Sequence, residues 1–79
     1  MHLTYDSQFN IAYIRLRAKR QKVTTVAVSD ELNVDLGPDG RVYGIELLNA
    51  NRQFGGQRMK KLTVENRQSG RKGQVALAG

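Results

Sequence analysis

Leu32 to Leu48 read LNVDLGPDGRVYGIELL, and this stretch predicts a β-hairpin. Its two halves alternate apolar and polar residues, which is the period of a strand with one buried face. Asp39-Gly40 lies between the halves and favours a tight type I′ turn, because both residues accept positive φ. Pro38 comes just before this turn, at a strand end where the missing N–H breaks no ladder hydrogen bond.

The predicted turn also sets the register of the hairpin. A four-residue loop over residues 37–40 would shift the pairs but leave the same side chains on one face. The apolar face is therefore predicted with either loop. For a two-residue turn, the facing pairs are Leu36 with Tyr43, Val34 with Ile45, and Leu32 with Leu47.

Further short strands are predicted on the N-terminal side of this hairpin. Residues 2–5 and 9–17 alternate on either side of the turn-forming run Asp6-Ser7-Gln8, so they form a second hairpin candidate. A helix over residues 10–18 is the competing prediction for the second of these segments. Residues 23–28 are rich in valine and threonine, which suit a pleated surface.

These segments together predict a mainly β fold. We expect a small antiparallel β-meander of four to five strands in a domain covering residues 1–51. One face of this sheet is apolar and needs a cover. Either the C-terminal segment or a second copy of the chain would supply it, so a homodimer is one expected arrangement.

The remaining residues, 52–79, form a basic, glycine-containing segment that we expect to be partly flexible. Residues 58–65 fit either a short helix or a strand at Leu62 and Val64. Residues 67–79 are predicted to fray, because few apolar groups are available there to offset the entropy lost on ordering.

Composition narrows the chemistry that this chain can perform. Its 79 residues make one domain at most, and the absence of cysteine removes disulfides, thiolate catalysis and cysteine-ligated zinc. The N-terminus has no apolar run of the kind found in secretory signals, so we expect a soluble cytoplasmic protein.

The net charge of +6 is placed unevenly along the chain. Residues 1–50 hold six basic and six acidic side chains, which cancel. Residues 51–79 hold seven basic side chains against Glu65 alone, so all of the excess positive charge lies there. This asymmetry predicts an acidic partner for the C-terminal segment.

Five short motifs follow one another between residues 5 and 50. They are Tyr5-Asp6, Ala12-Tyr13-Ile14-Arg15-Leu16, Val34-Asp35-Leu36, Asp39-Gly40-Arg41 and Gly44-Ile45-Glu46-Leu47-Leu48-Asn49-Ala50. This set resembles a small, widespread bacterial family of unknown function, family 2283. The resemblance implies a small β-rich domain and implies no reaction. The basic C-terminal segment lies outside it.

No arrangement of residues predicts an enzyme, a metal site or a cofactor. His2 is the single histidine, so neither a zinc site nor a serine triad is complete. Asp35 and Glu46 fall on the same face of the hairpin and could hold a divalent cation. We favour a structural role, in which Glu46 meets a neighbouring basic side chain or a backbone donor. Gly44 within a strand indicates a bulge or close packing against an aromatic ring.

Two basic clusters are the candidate binding residues. Tyr13 and Tyr43 would add stacking surfaces for single strands if they were exposed, although alternation places Tyr43 on the core face. The first cluster also includes Arg15 and Arg17 and lies among acidic neighbours, so the second cluster is the better candidate. The predicted partner-binding residues are Lys19, Arg20 and Lys22 in the first cluster, and Arg58, Lys60, Lys61, Arg67, Arg71 and Lys72 in the second.

We therefore predict a non-enzymatic small binding protein. Its C-terminal segment would engage nucleic acid, or an acidic surface of a complex that handles nucleic acid. One alternative is a protein-interaction module, encoded by a phage or mobile element, that inhibits a host complex. A structural homodimer and a metal-assisted enzyme that uses Asp35 and Glu46 are the others.

Overall fold

A computed structural model of the chain describes residues 1–55 and 61–76 and shows the predicted mainly β fold. Within these two stretches, no helix is both long and apolar enough to cross a membrane. The strands are β1 (His2–Asp6), β2 (Ile11–Arg15), β3 (Thr24–Ser29), β4 (Leu32–Leu36), β5 (Val42–Leu48), β6 (Lys61–Glu65) and β7 (Lys72–Ala76), and a short helix, α1 (Ala50–Gln53), follows β5.

The first five strands form one antiparallel sheet in the order β1-β2-β5-β4-β3. Strands β3, β4 and β5 follow one another as a meander, and the β1–β2 hairpin joins this meander at β5. Because β2 and β3 lie on opposite sides of the β4–β5 pair, residues 16–23 run along one end of the sheet, past the β4–β5 loop. Strands β6 and β7 form a separate two-stranded sheet.

The loop between β4 and β5 is longer than the predicted two-residue turn. The Gly37 N–H donates to the Arg41 carbonyl at 2.8 Å, and the Gly40 N–H donates to the Gly37 carbonyl at 3.0 Å. Gly40 has a φ of 79°, in the left-handed region that favours glycine. The connection is therefore a three-residue loop in which Gly40 ends a β-turn, and the type I′ prediction is wrong.

A β-bulge next to this loop restores the predicted register. Leu36 pairs with Val42, so the predicted pair of Leu36 with Tyr43 is wrong. Gly44 pairs with Asp35, which leaves Tyr43 as the extra residue on β5. The other two predicted pairs, Val34 with Ile45 and Leu32 with Leu47, are confirmed.

The sheet has one apolar face, to which all five strands contribute. Within the described residues, both strands of the β6–β7 hairpin are exposed, so the hairpin does not cover this face. Its members are part-exposed, apart from the buried Ala12 and the exposed Val26. The register places on the apolar face Leu3, Tyr5, Ala12, Ile14, Val26, Leu32, Val34, Ile45 and Leu47.

Asn10 fixes the other end of the sheet, where β2 begins and α1 follows β5. Its side-chain oxygen accepts hydrogen bonds from the Tyr5 hydroxyl at 3.1 Å and from the Asn51 N–H at 2.9 Å. Its amide group donates to the side-chain oxygens of Asn49 and Asn51. The Asn10 carbonyl accepts from the N–H of the buried Ala50 at 2.9 Å. One residue thus joins the β1–β2 turn to the segment after β5.

Tyr13 crosses β5 on the polar face of the sheet, the face opposite the apolar one. Its hydroxyl donates to Asp35 Oδ2 on β4 at 2.7 Å, and Thr25 on β3 donates to Asp35 Oδ1 at 2.6 Å. The phenol lies directly over Gly44, where a Cβ would overlap the Tyr13 ring. Gly44 therefore has the close aromatic packing that its position in a strand indicated.

We predict that Gly44→Ala destabilises the protein by about 1–3 kcal/mol, because the new methyl group forces the Tyr13 phenol away from Asp35. Urea unfolding followed by circular dichroism measures this change. Gly73→Ala on β7 is the matched control, since a Cβ at that position meets nothing within 4 Å. Equal stability losses for the two variants would contradict the role assigned to Gly44.

Candidate nucleic-acid interface

Strands β6 and β7 form a hairpin that carries much of the second basic cluster. Leu62 pairs with Val75, and these two side chains lie on one face. Thr63 pairs with Gln74 on the other face, next to the pair of Glu65 with Lys72. The hairpin is therefore an amphipathic two-stranded ribbon, and the strand prediction at Leu62 and Val64 is the correct one of the two alternatives.

The turn of this hairpin is held by Asn66. Its side-chain oxygen accepts N–H groups from Gln68 at 3.0 Å and Ser69 at 3.2 Å, which is a typical asparagine turn. The Asn66 N–H donates to the Arg71 carbonyl, and Gly70 adopts a φ of 74°. Residues 72–76 accordingly form a strand, so the predicted fraying is wrong for them, and residues 77–79 lie outside the described residues.

The hairpin is rich in exposed cations. Residues 61–76 hold four basic side chains against the single carboxylate of Glu65, which gives a net charge of +3. All residues of both strands are exposed. Arg58 and Lys60, two further predicted binding residues, lie outside the described residues. The cations that the structure places on the hairpin are Lys61, Arg67, Arg71 and Lys72.

The first basic cluster lies in the connection between β2 and β3. Lys19, Arg20 and Lys22 are exposed there. Arg17 is not available to a partner in the same way, because its guanidinium contacts Asp39 Oδ2 at 2.9 Å. Arg15 is part-buried on the polar face of the sheet, where its Nε is buried without a hydrogen-bond partner. The structure therefore divides the basic residues of 15–22 into a structural and an exposed set.

The ion pair between Arg17 and Asp39 joins residues 16–23 to the β4–β5 loop. Arg17 also donates to Gln21 Oε1 at 3.3 Å, and Asp39 Oδ1 accepts the Arg41 N–H at 3.0 Å. The hydrogen bond from Arg17, followed by that from Arg41, lowers the pKa of the Asp39 carboxyl below its ordinary value of 3.8. The ionised form of Asp39 therefore stabilises this end of the sheet.

The two tyrosines considered for base stacking are packed within the sheet. Tyr43 is buried, as its place on the core face predicts. Tyr13 is part-buried over Gly44, and burial together with its hydrogen bond to Asp35 raises the pKa of its phenol well above the ordinary value. Tyr13 therefore stays protonated and donates to Asp35. Neither ring is presented as a flat exposed platform.

The two carboxylates considered as cation ligands have hydrogen-bond donors within the sheet. Asp35 accepts from two hydroxyl groups, and Glu46 Oε1 accepts from the Asn33 amide at 2.9 Å. The donor to Glu46 is thus a side-chain amide rather than a basic group. Across residues 1–55 and 61–76, no three of the acidic and histidine side chains cluster closely enough to hold a metal ion. His2 lies exposed on β1, opposite Arg15.

Sequence reasoning missed the polar side chains that lie between the cations of the hairpin. Thr63 and Gln74 form a cross-strand pair on the same face as Lys61 and Lys72. The sequence signal for this pair was the alternation of polar and apolar residues over 61–65. That alternation indicates a cross-strand pair only when the partner strand is known. This face therefore combines two lysines and the Glu65 carboxylate with neutral hydrogen-bonding groups.

The chain belongs to the DUF2283 family. The family model described as "Protein of unknown function (DUF2283)" matches residues 2–51, which confirms the resemblance predicted over residues 5–50. The match covers the five-stranded sheet and ends within α1, before the basic hairpin begins. No curated protein and no solved structure matches the chain.

We predict that the stabilisation supplied by Asp39 is present at neutral pH and is lost on acidification. Because the folded-state pKa lies below 3.8, the contribution declines as the pH falls through that range and the carboxyl is protonated. Thermal unfolding of wild type and Asp39→Asn should differ at neutral pH and converge in acid.

Asp30→Asn, at an exposed carboxyl in the β3–β4 turn, is the control for this measurement. A difference between wild type and Asp39→Asn that grows in acid would contradict the ion pair with Arg17.

Proposed function

We propose that this member of the DUF2283 family is a non-enzymatic binding protein whose basic β6–β7 hairpin binds duplex nucleic acid. The observation that carries this proposal is the net charge of +3 on a two-stranded ribbon in which every strand residue is exposed. Within residues 1–55 and 61–76, the single ion pair joins Arg17 to Asp39, so the cations of the hairpin form no salt bridge there. Such cations favour phosphate contacts, because each contact releases a condensed counterion.

The shape of the hairpin supports a duplex as the ligand. The major groove of B-form DNA admits a two-stranded β-ribbon, whereas a single strand is held mainly by stacking on exposed aromatic rings. Residues 61–76 contain no aromatic side chain. A ribbon with charge and without rings therefore favours a double helix over a single strand.

The face that meets the duplex is the polar one. Lys61 and Lys72 supply positive charge near opposite ends of the paired region, and Thr63 with Gln74 lies between them. Glu65 lies opposite Lys72 on the same face and is the single negative charge there. Glutamine and threonine side chains hydrogen-bond base edges or phosphates, so this pair would add contacts that depend on groove geometry. Arg67 and Arg71 lie in or beside the turn, where they would reach the phosphate backbone.

We predict that the chain binds a labelled DNA duplex with a steep dependence on salt. Four phosphate contacts give a fall in affinity of roughly 100-fold between about 50 and 200 mM salt. Arg67→Glu with Arg71→Glu should lower affinity at least about 10-fold and reduce the salt slope by about 2, because two contacts are lost. Fluorescence anisotropy measures both quantities.

Lys19→Glu with Arg20→Glu is the matched control, since it changes the net charge by the same amount at exposed positions of the 16–23 connection. We expect this control to change the affinity far less than the hairpin variant. Equal losses in the two variants would show that net charge, and not the hairpin, determines binding. Absence of binding at low salt would contradict the proposal and would direct the search to an acidic protein partner.

A further inference from the structure

We infer that the exposed edge of β3 is a docking site for β6 of the same chain. The hairpin then closes onto the larger sheet, and the combined strand order is β1-β2-β5-β4-β3-β6-β7. Within the described residues, β3 and β6 each pair with a neighbour on one side, so each has a second edge open. Docking uses the edge of β6, whereas the proposed duplex contact uses the polar face of the hairpin, and the two can be tested separately.

The β6–β7 hairpin lacks the packing that a small sheet needs. A two-stranded hairpin alone in water is at most marginally stable, and a third strand or a packed layer is what stabilises it. Every residue of both strands is exposed, and Leu62 and Val64 are 39% and 55% exposed. The hairpin therefore gains stability from a strand that pairs with its edge.

Strand β3 offers such an edge. It is the last strand of the larger sheet, and all six of its residues are exposed. Edge strands are usually protected from pairing by charged residues or proline, and β3 contains neither. A bulge near its end leaves residues 24–27 as the regular stretch. The edge strand on the opposite side, β1, carries His2 and Asp6 instead.

The path of the chain brings β6 to the β3 edge in the antiparallel direction. Gln53, in α1, donates to the Glu31 carbonyl at 2.9 Å, so the end of α1 lies beside the β3–β4 turn. Lys61 follows eight residues later, a stretch that reaches at most about 28 Å. A strand beside β3 lies about 10 Å from β4, well within this reach. A strand that starts at the β3–β4 turn and runs back along β3 is antiparallel to it.

The charges at the ends of the two strands complement each other in this direction. Lys61 comes to the β3–β4 turn, near the exposed Asp30, and Glu65 comes toward the exposed Lys22 that precedes β3. Strand β7 would run the other way along the edge and carries no acidic residue for Lys22. Strand β6 is therefore the strand that fits.

The faces of the two strands match as well. Leu62 and Val64 share one face of β6, where they would continue the apolar face of the larger sheet beside Val26, which is 44% exposed. Thr63 then lies on the polar face. Two registers keep the faces together over residues 24–27, one with Thr63 opposite Thr25 and the other with Thr63 opposite Ala27.

Paired cysteines test the docking in the full chain, which has no cysteine of its own. A disulfide needs two Cβ atoms about 4 Å apart, a separation close to that of facing residues on neighbouring strands. We expect Thr25→Cys with Thr63→Cys, or Ala27→Cys with Thr63→Cys, to form an intramolecular disulfide in a glutathione buffer. Mass spectrometry measures the ratio of disulfide to dithiol, and gel filtration separates monomers from linked pairs.

Thr4→Cys with Thr63→Cys is the matched control. Thr4 is an exposed threonine on the polar face of β1, the other edge strand. The ratio of disulfide to dithiol should be at least about 10-fold higher for one of the β3 variants, because docking raises the effective concentration of the two thiols. The longer loop of the control explains only about a 2-fold difference. Circular dichroism checks that each variant folds.

Two results would overturn the inference. One is an equal ratio of disulfide to dithiol in all three folded variants, and the other is a disulfide that forms only between two copies of the chain. If the cysteine variants do not fold, proton NOEs in the unmodified chain decide. Docking predicts cross-strand NOEs between residues 24–27 and 61–65, and their absence would contradict it.

Discussion

The hydrogen bond from Tyr13 to Asp35, made across Gly44, is the interaction on which the sheet depends. It joins β2 to β4 over the central strand β5, and the hydroxyl of Thr25 extends the same network to β3. Side chains from three of the five strands, β2, β3 and β4, are thus connected on the polar face. The network requires a glycine on β5, because any other residue would displace the phenol. On this side of the sheet, the strands are joined by polar side-chain contacts.

The two faces of the sheet therefore differ in how their side chains are satisfied. On the polar face, Asp35 and Glu46 accept hydrogen bonds from neighbouring strands, so these carboxylates act as structural groups in our account. On the apolar face, the side chains remain part-exposed in a single copy. We assign the basic hairpin, which lies outside the family match, to the partner. A common sheet would then serve as a scaffold, and the appended hairpin would supply the binding specific to this chain.

Local sequence patterns predict the strands and the faces on which their side chains lie. They do not give the correct β4–β5 turn or the order of the strands in the sheet. Alternation and the turn residues correctly place Val34 opposite Ile45. The same patterns give the wrong turn, because Pro38-Asp39-Gly40 forms a three-residue loop and the bulge at Tyr43 compensates for it. Nothing local indicates that β5 lies beside β2, since that choice depends on contacts made by residues distant in sequence.

The candidate site is predictable in its charge and unpredictable in its geometry. The surplus of cations after residue 50 is evident from the sequence, whereas the ribbon that presents Lys61 and Lys72 on one face depends on the Asn66 turn. Composition alone suggests fraying, because it ignores the backbone hydrogen bonds that a single asparagine can organise. Arg17 illustrates the opposite case, since a residue counted with a basic cluster is committed to Asp39.

Titration of the isotopically labelled full chain with a DNA duplex, followed by amide NMR shifts, tests the central claim most directly. The account predicts salt-sensitive shifts at residues 61–76, with the polar face of the sheet around Tyr13 and Asp35 unchanged. Shifts centred on that polar face, or no shifts at low salt, would contradict it.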